Sequence, residues 1–211
     1  MKICEIFTSI QGETSHAGMP CTFIRLTGCN LRCLYCDTEY AYEEGIELTE
    51  AEIINEVELI GVHLITITGG EPLLQEEIYR LTERLIGEGY KVLIETNGTM
   101  SIKDIDSRAV IVLDIKTPGS GMWDEMDLSN LDYIKPTDEI KFVITDRADY
   151  EWSKDMMQKY NLSSKCQVFF SPAFGIILPE TLVKWILEDR LDARLNLQMH
   201  KYIYGSDRRG I

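Results

Sequence analysis

Short runs of apolar, β-branched residues recur along the chain at 2–7, 22–26, 63–68, 91–95, 110–115, 139–144, 166–170 and 193–197. Each has the length and composition of a strand. Helical patterns separate several of them. The strongest covers 50–60, where Thr49 and Glu52 have capping-box spacing and Ile53, Ile54, Val57 and Ile60 form one apolar face. A second runs from about 76 to 87, with Ile78, Leu81 and Leu85 on its face and Gly89 just beyond. A third covers 146–160. Pro179 suits the first turn of a fourth, with Leu182, Val183, Ile186 and Leu187 facing inward. The stretch 118–136 is rich in Gly, Pro and Asp and reads as an irregular loop with at most one short turn.

Alternating strands and helices imply a parallel sheet in an α/β fold. Six central strands with weak third and fourth helices suggest an incomplete (β/α)6 barrel; a doubly wound open sheet is the alternative. In either, the C-terminal ends of the strands carry the site. The strand at 22–26 runs into a cysteine-rich loop, 63–68 into "GGEP", 91–95 into "ETNG" and 110–115 into "DIKTPGSG". The 211 residues suggest one domain over 1–211.

Composition then narrows the chemistry. Hydrophobic residues make up 45% and charged residues 27%, as in a soluble globular protein. No apolar run reaches membrane-spanning length, and the N-terminus has no long apolar core of a secretory signal. The expected compartment is the cytoplasm, where clustered cysteines are ligands or catalytic groups more often than disulfides. A net charge of −14 argues against a nucleic-acid partner. It leaves room for a small anionic substrate held by a local basic group.

Three of the six cysteines, Cys29, Cys33 and Cys36, stand in the spacing C-x3-C-x2-C within "GCNLRCLYCDT". Cys4, Cys21 and Cys166 read as core residues. A structural zinc site takes four ligands, and His16 is a conceivable fourth. A [4Fe–4S] cluster held by three thiolates instead leaves one iron open to a small molecule. "TGGEP" at 68–72 is a tight turn after a strand; no Lys-Ser/Thr follows its glycines, so it is no P-loop. Its glycines allow close backbone approach, and Glu71 supplies negative charge. On the inner face of the second strand, Phe23, Arg25 and Thr27 alternate with Ile24 and Leu26. A buried Arg25 needs an anion.

The cysteine spacing with Tyr35 before the last cysteine, together with "TGGEP", resembles the radical S-adenosylmethionine superfamily. The segments "FTSIQGET", "GMPCTFIRLTGCNLRCLYCDT" and the tail "HKYIYGSDRRGI" resemble the 7-carboxy-7-deazaguanine synthase family within it. The resemblance implies one [4Fe–4S] cluster, S-adenosylmethionine cleaved to a 5′-deoxyadenosyl radical, Mg2+, and an electron donor such as flavodoxin or ferredoxin. It implies a lyase that converts 6-carboxy-5,6,7,8-tetrahydropterin to 7-carboxy-7-deazaguanine and ammonia in queuosine biosynthesis. Family members are typically homodimers. A glycyl-radical activating enzyme is the nearest alternative; a non-catalytic zinc or iron–sulfur module is the alternative of another class.

Carried over residue by residue, the resemblance assigns the pterin to Ile10, Gln11, Gly12, Glu13, Arg25 and Thr68, with the terminal carboxylate of Ile211 as a further candidate. It assigns S-adenosylmethionine to Tyr35, Cys36, Asp37, Gly70, Glu71, Asp114, Ile115, Lys116, Ser171, Pro172, Ala173 and Phe174. It assigns the cluster to Cys29, Cys33 and Cys36, and Mg2+ to Thr38. Asp114-Ile115-Lys116 departs from the family's common Ser-Pro-Lys, and Ser171-Pro172 from its Gln-Pro.

Overall fold

In the computed structural model, which describes residues 1–206 and 208–210, the chain forms a nine-stranded sheet. The strands are β1 (Lys2–Ile10), β2 (Pro20–Leu26), β3 (Ile46–Glu47), β4 (Leu64–Gly69), β5 (Lys91–Thr96), β6 (Val110–Ile115), β7 (Glu139–Ile144), β8 (Gln167–Pro172) and β9 (Arg194–Leu195). Their spatial order is β3-β1-β2-β4-β5-β6-β7-β8-β9. β1 pairs antiparallel with β2 and β3; every pair from β2 onward is parallel. The edges β3 and β9 do not pair with each other, so the barrel stays open.

Helices α1 (Glu50–Ile60), α2 (Glu77–Gly87), α3 (Arg147–Tyr160), α4 (Leu162–Lys165), α5 (Pro179–Asp189) and α6 (Met199–Tyr204) complete the chain. No α-helix joins β5 to β6, and only three short 3-10 turns, Pro118–Ser120, Trp123–Glu125 and Leu128–Asp132, join β6 to β7. The third and fourth crossovers of the incomplete (β/α)6 barrel are thus the reduced ones. The capping box of α1 is present, with Thr49 Oγ1 accepting from Glu52 N and the Glu52 carboxylate accepting from Thr49 N.

Strand alternation sorts the side chains into two layers. Ile24, Leu26, Ile65, Ile67, Val92 and Ile94 pack outward against Ile53, Ile54, Val57, Ile78, Leu81 and Leu85 of α1 and α2. Inward, Cys21, Phe23, Leu64, Leu93, Val110 and Val112 form a smaller apolar floor. Further along the strands the inner positions are polar: Arg25, Thr68, Glu95, Asp114, Lys141 and Ser171. Register sets Arg25 opposite Thr68 and Asp114 opposite Lys141. The barrel therefore has an apolar floor under part of its interior and a charged upper layer at the strands' C-terminal ends.

Several expectations are corrected. β1 runs three residues past the expected end, because the hairpin register continues to Ile10 opposite Pro20. β3, α4 and α6 are too short to carry a readable period. In α5, Leu182 is fully buried but Leu187 is 70% exposed. Five residues at 100° each rotate it about 140° off the inner face.

Candidate active site

The loop after β2 and the turn after β4 are joined by their backbones. Glu71 N donates to Gly28 O at 2.7 Å, and Gly70 N donates to Leu26 O at 3.3 Å. A Cβ on Gly70 would lie 2.6 Å from the Gly28 carbonyl carbon and 2.7 Å from Cys29 Cβ. Only glycine lets this turn rest on the cysteine loop. Glu71 itself is fully buried. Its carboxylate accepts from Leu73 N at 3.0 Å, Thr96 Oγ1 at 2.8 Å and Asn97 N at 2.6 Å. Burial pushes its pKa up, with these donors working the other way. The side chain so placed braces "GGEP" against "ETNG" from within, and presents backbone rather than carboxylate to the mouth.

Cys29, Cys33 and Cys36 are half-buried free thiols. Leu31 N donates to Cys29 Sγ at 3.4 Å, and Asn97 Nδ2 lies 3.9 Å from it. Burial pushes Cys29 and Cys33 up, while the Lys116 ammonium pulls both down. Among the described residues, no three His, Cys, Asp or Glu side chains converge on one ion position. A cubane does not ask for that, because each thiolate takes its own iron. Three half-buried soft donors on one loop, beside a glycine turn with no side chain to obstruct them, fit such a cluster. The same donor set lacks the fourth ligand of a closed zinc site. Cys21 is fully buried on the barrel floor with its Sγ 3.2 Å from Thr66 Oγ1, as a core residue should be.

Beyond the thiols, the strand ends supply further expected positions. Asp114 is half-buried beside Lys116 Nζ at 2.9 Å and Lys141 Nζ at 3.3 Å. Although burial opposes it, the two ammonium groups hold Asp114 below the usual carboxylate range. Tyr35 is half-buried near Lys116, its phenol pushed up by burial. Ile115 points into the outer core, so only its backbone is open to a ligand. Ser171 accepts from Asn196 Nδ2 at 2.8 Å. Pro172 ends β8, and Ala173 N donates to Ile144 O at 2.9 Å. Phe174 is turned outward against Tyr202, ring centroids 5.7 Å apart.

The loop between β1 and β2 crosses the inner face of the sheet. Gln11 N donates to Met19 O at 2.7 Å and closes its neck, just after Ile10. Gln11 Nε2 reaches Thr66 Oγ1 at 2.9 Å and Glu95 Oε1 at 3.4 Å. Thr68 Oγ1 donates to the other oxygen of Glu95 at 3.2 Å. Glu13 lies 3.0 Å from Lys141 Nζ and accepts from Asn196 and Gln198 at 3.2 and 3.1 Å. Its burial is opposed by Lys141 and His200, and its pKa falls below the ordinary value. Glu95 goes the other way, raised by burial and by the charge of Glu13. Two neighbouring carboxyls are thereby shifted in opposite directions.

Arg25 has a protein partner. Its Nε donates to Glu5 Oε1 at 2.8 Å, and Tyr40 OH donates to the same oxygen at 2.8 Å. The two Nη groups make no hydrogen bond among the described residues, so the fork still has a face for a second anion. Arg25, Lys116 and Lys141 gather three cations inside an acidic chain.

α6 lies over one side of the mouth. Met199 N donates to Gly12 O at 2.9 Å, and a Cβ on Gly12 would stand 2.9 Å from His200 Cγ. Asp37 pairs with Lys201 and accepts from Gln198 at 3.2 Å and from Thr38 Oγ1 at 2.9 Å. Thr38 precedes the 3-10 turn Glu39–Tyr42 but makes no side-chain cap to it. Ile211 lies outside the described residues. Arg209 reaches Glu44 and stacks 3.8 Å from the Tyr40 ring, which leads the tail toward Glu5 and Arg25.

Sequence reasoning missed Lys141, Glu95, Asn97, Asn196 and Gln198. A lysine on the inner register of a predicted central strand was the available signal for Lys141. Asn196 and Gln198 follow a two-residue strand with no pattern of its own.

Comparison with known proteins agrees with this geometry. The Radical SAM superfamily matches residues 23–115. A 7-carboxy-7-deazaguanine synthase of Koribacter versatilis is 45% identical over all of both chains. One of Chlorobaculum tepidum is 42% identical over all of this chain and 97% of its own. The crystal structure of QueE from Escherichia coli superposes with a TM-score of 0.78 over 94% of each chain at 22% identity, a likeness of fold. The chain belongs to the 7-carboxy-7-deazaguanine synthase family of radical S-adenosylmethionine enzymes.

Proposed function

We propose that residues 1–211 act as one catalytic domain that converts 6-carboxy-5,6,7,8-tetrahydropterin to 7-carboxy-7-deazaguanine and ammonia, in the route to queuosine. The observation that carries the reading is the polar upper layer of the barrel, set directly beside the cysteine loop. Gln11 and Glu13 present an amide and an ionised carboxylate to a pterin edge that offers both donors and acceptors. Thr68 and Glu95 continue that surface, with the Glu95 carboxyl raised in pKa by burial. Arg25 takes the substrate carboxylate through its Nη face while Glu5 and Tyr40 fix the other edge.

Cys29, Cys33 and Cys36 would hold a [4Fe–4S] cluster, and Gly70, Asp114–Lys116, Ser171–Phe174, Tyr35, Cys36 and Asp37 would hold S-adenosylmethionine. When bound and reduced, the pair supplies the radical that abstracts hydrogen from the pterin. Glu71 enters this proposal through the turn it braces. Thr38 would supply one hard oxygen ligand for Mg2+. The Ile211 carboxylate is a further substrate contact. The chain works in the cytoplasm as a homodimer, with flavodoxin or ferredoxin as reductant. Among the described residues, no helix is long and apolar enough to cross a membrane.

Arg25→Ala tests the assignment. Pterin affinity should fall at least tenfold, the size of a lost charge-assisted bond, while S-adenosylmethionine cleavage persists without product. Unchanged pterin affinity would remove Arg25 from the site.

A further inference from the structure

Among the described residues, Lys141 is the one cation that touches both halves of the site. It projects from the inner face of β7, a strand whose other charged residue, Glu139, binds Ser15 lower in the barrel. Its ammonium stands 3.0 Å from Glu13, on the loop assigned to the pterin, and 3.3 Å from Asp114, on the strand end assigned to S-adenosylmethionine. We propose that Lys141 is a positioning residue that locks Glu13 and Asp114 in place together, and so sets the pterin subsite in register with the cofactor subsite. The inference rests on the pterin reading of the site given above.

The physical argument is one of charge balance. Glu13, Glu95 and Asp114 are all half-buried in this layer. Arg25 is already engaged by Glu5, and Lys116 by Asp114. His200 faces Glu13 from α6, and burial lowers its pKa. Gln198 and Asn196 donate to Glu13 without carrying charge. Lys141 is therefore the single cation in direct contact with Glu13 among the described residues. A buried carboxylate stripped of its one cation takes up a proton or moves. Its like-charged neighbour Glu95 pushes in the same direction.

The test is pterin binding to the reconstituted enzyme, measured from pH 6 to 9 in Lys141→Gln and Lys141→Arg, with product and cleaved S-adenosylmethionine counted in parallel. The wild type should bind with a flat pH response. K141Q should bind about 100-fold more weakly at pH 6, the usual scale for breaking a buried pair, and recover toward high pH as Glu13 ionises. It should also release more cleaved cofactor per product. K141R should restore the flat response. If K141Q does not fold, E13Q/K141M removes both charges and is compared with E13Q alone. Pterin affinities within threefold of each other mean that Lys141 acts through Glu13; a further tenfold loss overturns the proposal. A flat K141Q profile within threefold of wild type overturns it as well. Wild-type protein that does not bind pterin at all refutes the substrate reading instead.

Discussion

Gly70→Ala is the most economical perturbation of the site, because one methyl group tests how the cysteine loop is held. Gly70 has no positive φ, so the effect is steric alone. The new Cβ would stand 2.6 Å from Gly28 C and 2.7 Å from Cys29 Cβ, and closer still to the Gly28 carbonyl oxygen. Ordinary contact begins near about 3.5 Å, so the two loops must part by roughly 1 Å. Neither obstructing group can rotate away. The Glu71 N–H bond to Gly28 O, 2.7 Å long, is stretched with them. Overpacking against a fixed surface costs about 1–3 kcal/mol, and a weakened hydrogen bond about 1 kcal/mol. The expected loss is about 2–4 kcal/mol. Gly87→Ala is the control: its Cβ meets nothing within 4 Å at the end of α2, and helix propensity favours it by up to about 1 kcal/mol. Urea denaturation of the cluster-free proteins reads the stability, and iron and sulfide per chain after reconstitution read the loop. If G70A unfolds within about 0.5 kcal/mol of wild type and loads a full cluster, the tight seat of "GGEP" on the cysteine loop is not real.

Other predictions address single groups. Thr38→Ala should keep cluster content and S-adenosylmethionine cleavage but lose the stimulation of turnover by Mg2+, with Thr38→Ser retaining it; an undiminished Mg2+ response in T38A would clear Thr38 of that role. Burial raises Glu95, so its contribution to stability is complete below the unfolded carboxyl value and lost as pH rises through the folded one. Glu95→Gln keeps the shape without the ionisation and should match wild type at pH 4 but exceed it at pH 8 in denaturation midpoint; the reverse order would show that Glu95 is stabilised as an anion. Thr49→Ala removes the capping box of α1 and should cost about 1 kcal/mol, read as a lower midpoint with cluster loading unchanged.

Much of this site was legible because the chemistry stands at strand ends. The runs at 22–26, 63–68, 91–95 and 110–115 carry enough β-branched residues to locate β2, β4, β5 and β6, and the loops after them carry the cysteines, "GGEP", "ETNG" and Asp114-Ile115-Lys116. Alternation placed Arg25 on the inner face, where the structure has it. What remained hidden depends on contacts remote in sequence. Glu71 looked like a ligand, since nothing local says that Thr96 and Asn97 will enclose its carboxylate. The Glu5 partner of Arg25 follows from a bulged hairpin register that shifts between Ile3 and Glu5. α6 has six residues and no clear period, yet Gln198 at its start ties Glu13 to Asp37, and Lys201 within it pairs with Asp37.

The central claim is tested most directly by the reaction itself. The wild-type protein is reconstituted without oxygen, supplied with reductant, S-adenosylmethionine, Mg2+ and 6-carboxy-5,6,7,8-tetrahydropterin, and followed by mass spectrometry. The account predicts 7-carboxy-7-deazaguanine, with one ammonia released per product. Cleavage of S-adenosylmethionine with the pterin left intact would contradict it.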